Sequence, residues 1–302
     1  MTSPQNNKII VVLGPTSSGK SDLAVSLAKK FNGEVISADS RQVYKGLDIG
    51  SGKITKEEMQ GVQHYLLDVV DPETKFTVSD FKKLAEKAIS EILEKGKVPI
   101  ICGGTGFYIQ AIVDNVVLPE VNPNEELRKE LEGKSAEELL EILIKLDPAR
   151  AENIDIKNPR RLIRAIEIAK NLGKVPDINK DFGKYEALQI GIETDQKELK
   201  ERIYKRILTR VKSGMIEEVE KLHQEGLSWE RLDELGLDYR YLARHLQGQI
   251  TKEEMIEKIY YEDWHYAKRQ MTWFNKDKRI KWFELKNKEG IEGEVEEFLK
   301  LT

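Results

Sequence analysis

The segment Gly14-Pro15-Thr16-Ser17-Ser18-Gly19-Lys20-Ser21 restricts the fold of this chain more than any other. It fits G-x-x-x-x-G-K-[ST]; an apolar run, Ile9 to Leu13, leads into it, and Ser21 to Ala28 follows with helical spacing. Strand, glycine-bearing loop and helix in that order build a phosphate cradle. The glycines let successive backbone N–H groups turn inward, and the helix adds the positive end of its dipole. In such a cradle Lys20 reaches a terminal phosphate and the Ser21 hydroxyl ligates Mg2+. The bland alternative is a glycine-rich turn with no ligand. The motif asks for a phosphate and leaves its bearer open.

Downstream, Glu34 to Ser40 reads as a short strand ending in a polar cluster, and Arg41 to Lys53 is too rich in glycine for regular structure. Val62 to Val70 reads as a third strand closed by Asp71-Pro72. A helix is predicted from Val78 to Lys95, then a strand, Val98 to Cys102, running into Gly103-Gly104-Thr105-Gly106. Strands alternating with helices predict an α/β fold with a parallel sheet, whose ligands sit outside the carboxyl ends of the strands. The phosphate loop, Asp39 and Thr105 each follow such an end, so all three should meet at one edge. Asp39 is a candidate catalytic carboxylate, with a turn cap or a role at Mg2+ as alternatives; the Thr105 hydroxyl could instead satisfy backbone in a tight turn. His64 reads as structural, Asp68 and Asp71 as turn or cap residues, and Cys102 as a buried, inert thiol.

From Asp114 to about Ala187 the chain has another texture. Prolines 119 and 123 break the chain and Ser135-x-x-Glu138 opens a helix as a capping box; the sheet resumes with Leu188 to Glu193. The predicted division is therefore a core of residues 1–113 and 188–302 with a helical insertion over 114–187. Residues 150–174 carry seven basic side chains against three acidic ones, and Arg160, Arg161 and Arg164 alternate with Leu162, Ile163 and Ile166 on an amphipathic helix. That arginine face suits either solvent or the phosphates of a structured RNA. A long helix is predicted from Lys197 to His223, burying Leu199, Ile203, Ile207, Val211 and Met215, with Arg202, Arg206 and Arg210 on a neighbouring face. A last helix starts at Thr251-x-x-Glu254. From Trp264 to Lys281 six basic residues and one acidic one are interleaved with Trp264, Tyr266, Trp273 and Phe274, a composition suited to RNA with an unstacked base.

Net charge is −4, so any nucleic-acid surface must be local. A single cysteine, a polar N-terminus and the lack of a membrane-length apolar run predict a cytoplasmic protein with no membrane association.

The phosphate loop, Ser37-Ala38-Asp39-Ser40-Arg41-Gln42-Val43-Tyr44, Leu47-Asp48-Ile49-Gly50, Cys102-Gly103-Gly104-Thr105-Gly106-Phe107-Tyr108 and Ala267-Lys268-Arg269-Gln270-Met271-Thr272-Trp273-Phe274 together resemble the tRNA dimethylallyltransferases, or tRNA isopentenyltransferases. The resemblance covers nearly the whole chain. It implies a P-loop NTPase-like parallel sheet flanked by helices, with the helical insertion as a tRNA-contacting subdomain. It also implies transfer of a dimethylallyl group from dimethylallyl diphosphate to the exocyclic amine of the adenosine 3′-adjacent to the anticodon. Asp39, Thr105 and Arg206 are then catalytic, with Arg202 the alternative diphosphate clamp; Gly14 to Ser21 hold the diphosphate, and Ser21 holds Mg2+. The tRNA anticodon stem-loop would be met by Asp39, Ser40, Arg41, Gln42, Thr105, Arg128, Arg160, Arg161, Leu162, Ile163, Arg164, Lys268 and Arg269. A monomer is expected. One departure stands out: the family usually has glycine before a Tyr-Arg pair and an arginine a few residues earlier, where this chain has Asp238 and Leu235 or Glu234.

Rival readings are a P-loop nucleotide or small-molecule kinase, a prenyltransferase for free adenine nucleotides, and a phosphate-gated RNA-binding module without catalysis. The last leaves Asp39 and Thr105 without roles.

Overall fold

The computed structural model describes residues 7–176 and 183–300; the first six residues of the polar N-terminus and residues 177–182 of the predicted insertion lie outside these. Strands β1 (Lys8–Leu13), β2 (Gly33–Ala38), β3 (His64–Tyr65), β4 (Val98–Gly103), β5 (Glu186–Glu193) and β6 (Lys281–Glu284) form one parallel sheet in the order β3-β2-β4-β1-β5-β6. Helices α1 (Lys20–Lys30), α2 (Lys56–Met59), α3 (Val78–Glu94) and α4 (Gly106–Val113) alternate with its first strands. Next come α5 (Glu125–Glu132), α6 (Ala136–Leu146), α7 (Pro148–Glu152) and α8 (Pro159–Leu172). The chain ends with α9 (Gln196–Lys212), α10 (Met215–Gln224), α11 (Trp229–Leu235), α12 (Leu237–Leu246), α13 (Lys252–Phe274) and α14 (Lys288–Lys300).

The unbroken apolar run of β1 follows from its place inside the sheet, where both faces are covered. Ile9, Val11 and Leu13 pack on one side with Phe81, Ile89 and Ile92 of α3 and Ile109 and Ile112 of α4. Ile10 and Val12 pack on the other with Leu23 and Leu27 of α1 and Ile291 and Val295 of α14. Each such fully buried side chain contributes about 1.5–3 kcal/mol. The register then places the site: Leu13 pairs with Gly103, and Gly103 with Ala38, so β1, β4 and β2 end at one level as immediate neighbours. Their following loops start at Gly14, Gly104 and Asp39.

The chain separates into two compact units, Met1–Asn115 with Phe182–Thr302, and Val116–Asp181. In the first, a second core joins Val43, Tyr44 and Leu47 to α9 through α13. In the second, α5 to α8 close around Leu127, Leu131, Leu139, Leu143, Leu162 and Ile166. The capping box at Ser135 and Glu138 is formed, and Asn158 caps α8 ahead of its first-turn proline.

Two predicted elements differ, and two more were not predicted. The strand expected over 62–70 is the two-residue β3, because Leu66 (φ 63°) and Asp68 (φ 55°) adopt left-handed backbone that ends pairing. The helix expected to run to His223 breaks at Ser213-Gly214, where glycine takes φ 100°; Leu199, Ile203, Ile207 and Met215 are buried as expected, while Val211 is only partly so. Beyond the helix predicted last, β6 extends the sheet beside β5 and α14 covers it.

Candidate active site

The phosphate loop turns on its own backbone: the Ser18 N–H donates to the Pro15 carbonyl (3.3 Å), and Ser17 and Gly19 both have positive φ. Gly19 is required by its φ of 87°, and a Cβ there would also displace the end of the Leu285 side chain, 2.5 Å away. It is the N-cap of α1 and supplies no side-chain cap, so the dipole end of the helix stays open to an anion. Lys20 Nζ folds back onto the Pro15 carbonyl (3.1 Å). Burial pushes its pKa down, with Arg206 adding to the effect and Cys102 and Asp39 opposing it. The buried hydroxyls of Ser17 and Ser18 have no hydrogen-bond partner among the described residues. Each such orphan costs about 1–3 kcal/mol, which a phosphate oxygen would relieve.

Next to this loop, Asp39 Oδ1 accepts the N–H groups of Arg41 (2.8 Å) and Gln42 (3.3 Å). The turn role weighed for Asp39 is thus real, yet it occupies one oxygen; among the described residues Oδ2 accepts no hydrogen bond. The Thr105 hydroxyl accepts the Ser40 N–H (3.2 Å) and leaves its own helix uncapped, so its oxygen faces the Asp39 loop. Tyr266 interacts with Thr105, and burial with the nearby Asp39 charge pushes its phenol up to about 12. The segment carrying Asp39 to Gln42 is tied down further along. Gln42 Nε2 donates to Gly52 (3.1 Å), and the Glu218 carboxylate accepts three successive N–H groups, from Asp48, Ile49 and Gly50.

Two arginines of α9 reach the phosphate loop. Arg206 Nη2 donates to the Thr16 hydroxyl and to Asp263 Oδ2 (3.3 Å); Arg202 meets the Ser18 carbonyl (3.5 Å) and Glu198 (2.6 Å). Burial, with Arg210 beside it, brings the Arg206 pKa down to about 10, so the charge persists at neutral pH. Arg206 Nε has no partner among the described residues. Lys20, Arg206, the uncapped N-terminus of α1 and the unpartnered Ser17 and Ser18 hydroxyls thus lie together at the phosphate loop, with the Asp39 carboxylate and the Thr105 hydroxyl on the loops after the two neighbouring strands.

The family model for IPP transferase matches residues 42–277. This chain belongs to the IPP transferase family. It is 45% identical over 272 residues to tRNA dimethylallyltransferase 2 of Treponema denticola, covering 88% of this chain and 91% of that one. It is 40% identical over 291 residues to the tRNA dimethylallyltransferase of Clostridioides difficile, covering 94% of each. The full-length tRNA isopentenylpyrophosphate transferase of Bacillus halodurans superposes with a TM-score of 0.72 at 37% identity, over 98% of this chain and 99% of that one. A eukaryotic dimethylallyltransferase, crystallised acting on tRNA, gives a TM-score of 0.74 at 28% identity, over 89% of this chain and 70% of that one. The fold is thus the P-loop NTPase-like one expected.

Against that IPP transferase background the remaining expected residues divide. Lys268 and Arg269 are exposed, with Lys268 over the Trp264 ring (5.7 Å) and Arg269 beside Tyr266 (5.9 Å). Arg160 and Arg161 are exposed at the start of α8, Arg161 with a 3.4 Å pairing to Asp155. Within the arginine face Arg164 is half-buried and paired: it donates to Glu167 (2.7 Å) and to the Val121 carbonyl (2.9 Å), and Arg128 also binds Glu167 (2.9 Å). Burial would raise the Glu167 carboxyl, but these bonds and that from the Asn124 N–H outweigh it and hold it below its usual value. Leu162 and Ile163 turn their side chains into the core of the insertion, because an amphipathic helix must bury its apolar stripe. Asp238 and Tyr239, at the departure from the family pattern, are interior; Asp238 pairs with Arg210 (3.3 Å), and burial and Asp263 push its carboxyl up.

Asp263, Gln270 and Glu218 hold the site together without having been among the expected site residues, and Arg210, expected on the guanidinium face of α9, pairs with Asp238. A signal existed for two of them. The buried stripe of α13 is Met255, Ile259, Asp263, Ala267, Gln270 and Phe274, and polar residues in such a stripe need partners.

Proposed function

We propose that this protein transfers a dimethylallyl group from dimethylallyl diphosphate to the exocyclic amine of the adenosine 3′ to the anticodon in tRNA. The observation that carries the reading is the meeting of an open phosphate loop with Arg206, Asp39 and Thr105 at the ends of three adjacent strands. Diphosphate departs once its developing charge is neutralised, and Lys20, Arg206 and the N-terminus of α1 supply that. Thr105 donates a hydrogen bond to the departing oxygen and keeps its proton. The adenine amine is a weak nucleophile, and Asp39 Oδ2 accepts its proton as the new bond forms. The base must leave its stack to reach this edge.

Among the described residues no three His, Cys, Asp or Glu side chains gather to hold a metal. Mg2+ in a phosphate loop is held largely by substrate phosphates and water and asks for few protein ligands. Ser21 would hold it, and it would add positive charge against the leaving group. Arg160, Arg161, Lys268 and Arg269 contact tRNA phosphates, with Ser40, Arg41 and Gln42 at the extruded nucleotide. No helix among the described residues is long and apolar enough to cross a membrane.

The kinase reading shares the loop but gives the exposed arginines no task. Labelled dimethylallyl diphosphate and labelled ATP, each offered with bulk tRNA, separate the two. Label entering RNA from the prenyl donor, with no nucleoside triphosphate present, is expected; label passing only from ATP to a small acceptor would replace this reading.

A further inference from the structure

Gln270 is 95% withdrawn from solvent, with 5% relative exposure, yet carries no charge and lies on the core face of α13. Its Oε1 accepts the Thr16 N–H (2.8 Å) and its Nε2 donates to the Gly104 carbonyl (2.9 Å). The orientation of the carboxamide is fixed by chemistry, since an N–H must face the carbonyl and an oxygen must face the N–H. One side-chain end thus ties the phosphate loop after β1 to the loop after β4, one residue before Thr105. The fit is close: a Cβ on Gly104 would lie 2.1 Å from Gln270 Nε2. Thr16 is held from both sides, because its hydroxyl takes Arg206, and Arg206 is in turn held by Asp263, seven residues before Gln270 on the same helix face.

We infer that Gln270 is a positioning residue that locks the phosphate loop to the Thr105 loop, so that a diphosphate held by the first presents its departing oxygen to the second. This rests on the prenyl-transfer reading above. Neither loop is held to the other by this contact unless the side chain offers an acceptor and a donor together. Among residues of this shape only glutamine does so at all pH values, and glutamate does so only when protonated.

The test uses two variants of the full chain. Gln270→Met keeps length and volume and loses both bonds. Gln270→Glu keeps the acceptor and regains the donor on protonation. With folding checked by thermal melting, Gln270→Met should lose about 10- to 100-fold in single-turnover transfer at saturating donor, as small misplacements of reacting groups do. Its KM for tRNA should change less than about twofold. The deficit of Gln270→Glu, taken as a ratio to wild type at each pH, should shrink as the pH falls, while that of Gln270→Met should not. A folded Gln270→Met protein at the wild-type rate would overturn the inference. So would a Gln270→Glu deficit that ignores pH, and that series decides alone if Gln270→Met fails to fold. Absence of transfer by the wild type in the same assay would count against the proposed function instead.

Discussion

Arg206→Gln separates what this arginine does for chemistry from what it does for the fold. In the structure the guanidinium lies between the Thr16 hydroxyl and Asp263, which is itself 4% exposed. Removing its charge strips one positioned donor from a developing oxyanion, worth about 3–4 kcal/mol, or roughly 10²–10³ in kcat. It also leaves Asp263 charged and buried without that partner, a cost of about 3–5 kcal/mol in stability. The two losses respond differently to a second change. Asp263→Asn in the same chain removes the orphaned charge, so the double variant should recover most of the melting temperature and none of the rate. Thermal melting reads the stability, single-turnover transfer at saturating dimethylallyl diphosphate reads the rate, and inhibition by pyrophosphate reads the affinity for diphosphate. A double variant that regained both stability and rate would show Arg206 to be structural only.

Asp39→Asn should lose about 10²–10⁴ in single-turnover rate with tRNA affinity much less affected; a near-normal rate would exclude proton abstraction by this carboxylate. Arg160→Ala with Arg161→Ala should weaken tRNA binding and flatten its log–log salt dependence by about one unit per lost phosphate contact, in a protein that melts normally. An unchanged slope would make them solvated surface. Arg164→Ala should instead lower the melting temperature, because it strips a bond from buried Glu167; a normal melt with lost tRNA affinity would reverse that assignment. Glu34, 4% exposed, has its carboxyl lowered from 4.5 to about 2: burial would raise it, but bonds from Lys97, Tyr65 and Lys95 outweigh this. Its stabilisation is therefore complete above pH 4.5 and lost as pH falls through about 2. Glu34→Gln should melt lower at pH 7, and the gap to wild type should close across that acid window.

Much of the site could be read from the sequence because its main parts are local. The apolar run, glycines and helical spacing around Gly14 to Ser21 encode the loop within a few residues, and Asp39 and Thr105 each sit directly past a strand end. The neighbouring strand ends that bring them together follow from the parallel alternation. What stayed hidden is carried by long-range partners. Gln270 meets Thr16 and Gly104 across most of the chain, and nothing near position 270 says which N–H it will accept. Arg164 and Arg160 look alike in sequence, yet only folding shows that Arg164 is spent on Glu167. The break after α9 was available in Gly214, but a continuous apolar period on either side of it masked the change of direction. β6 was missed because four residues, half of them charged at the ends, give little strand signal without knowledge that β5 offers an edge.

The central claim is that one anion site releases diphosphate while a carboxylate beside it accepts the proton of a tRNA adenine. It is tested most directly by a single-turnover reaction of the protein, dimethylallyl diphosphate, Mg2+ and tRNA, with pyrophosphate quantified and the RNA digested to nucleosides for mass spectrometry. One pyrophosphate per dimethylallyl-adenosine, located next to the anticodon and formed without ATP, is the predicted result. Pyrophosphate release with no modified adenosine, or modification that appears only with ATP, would contradict it.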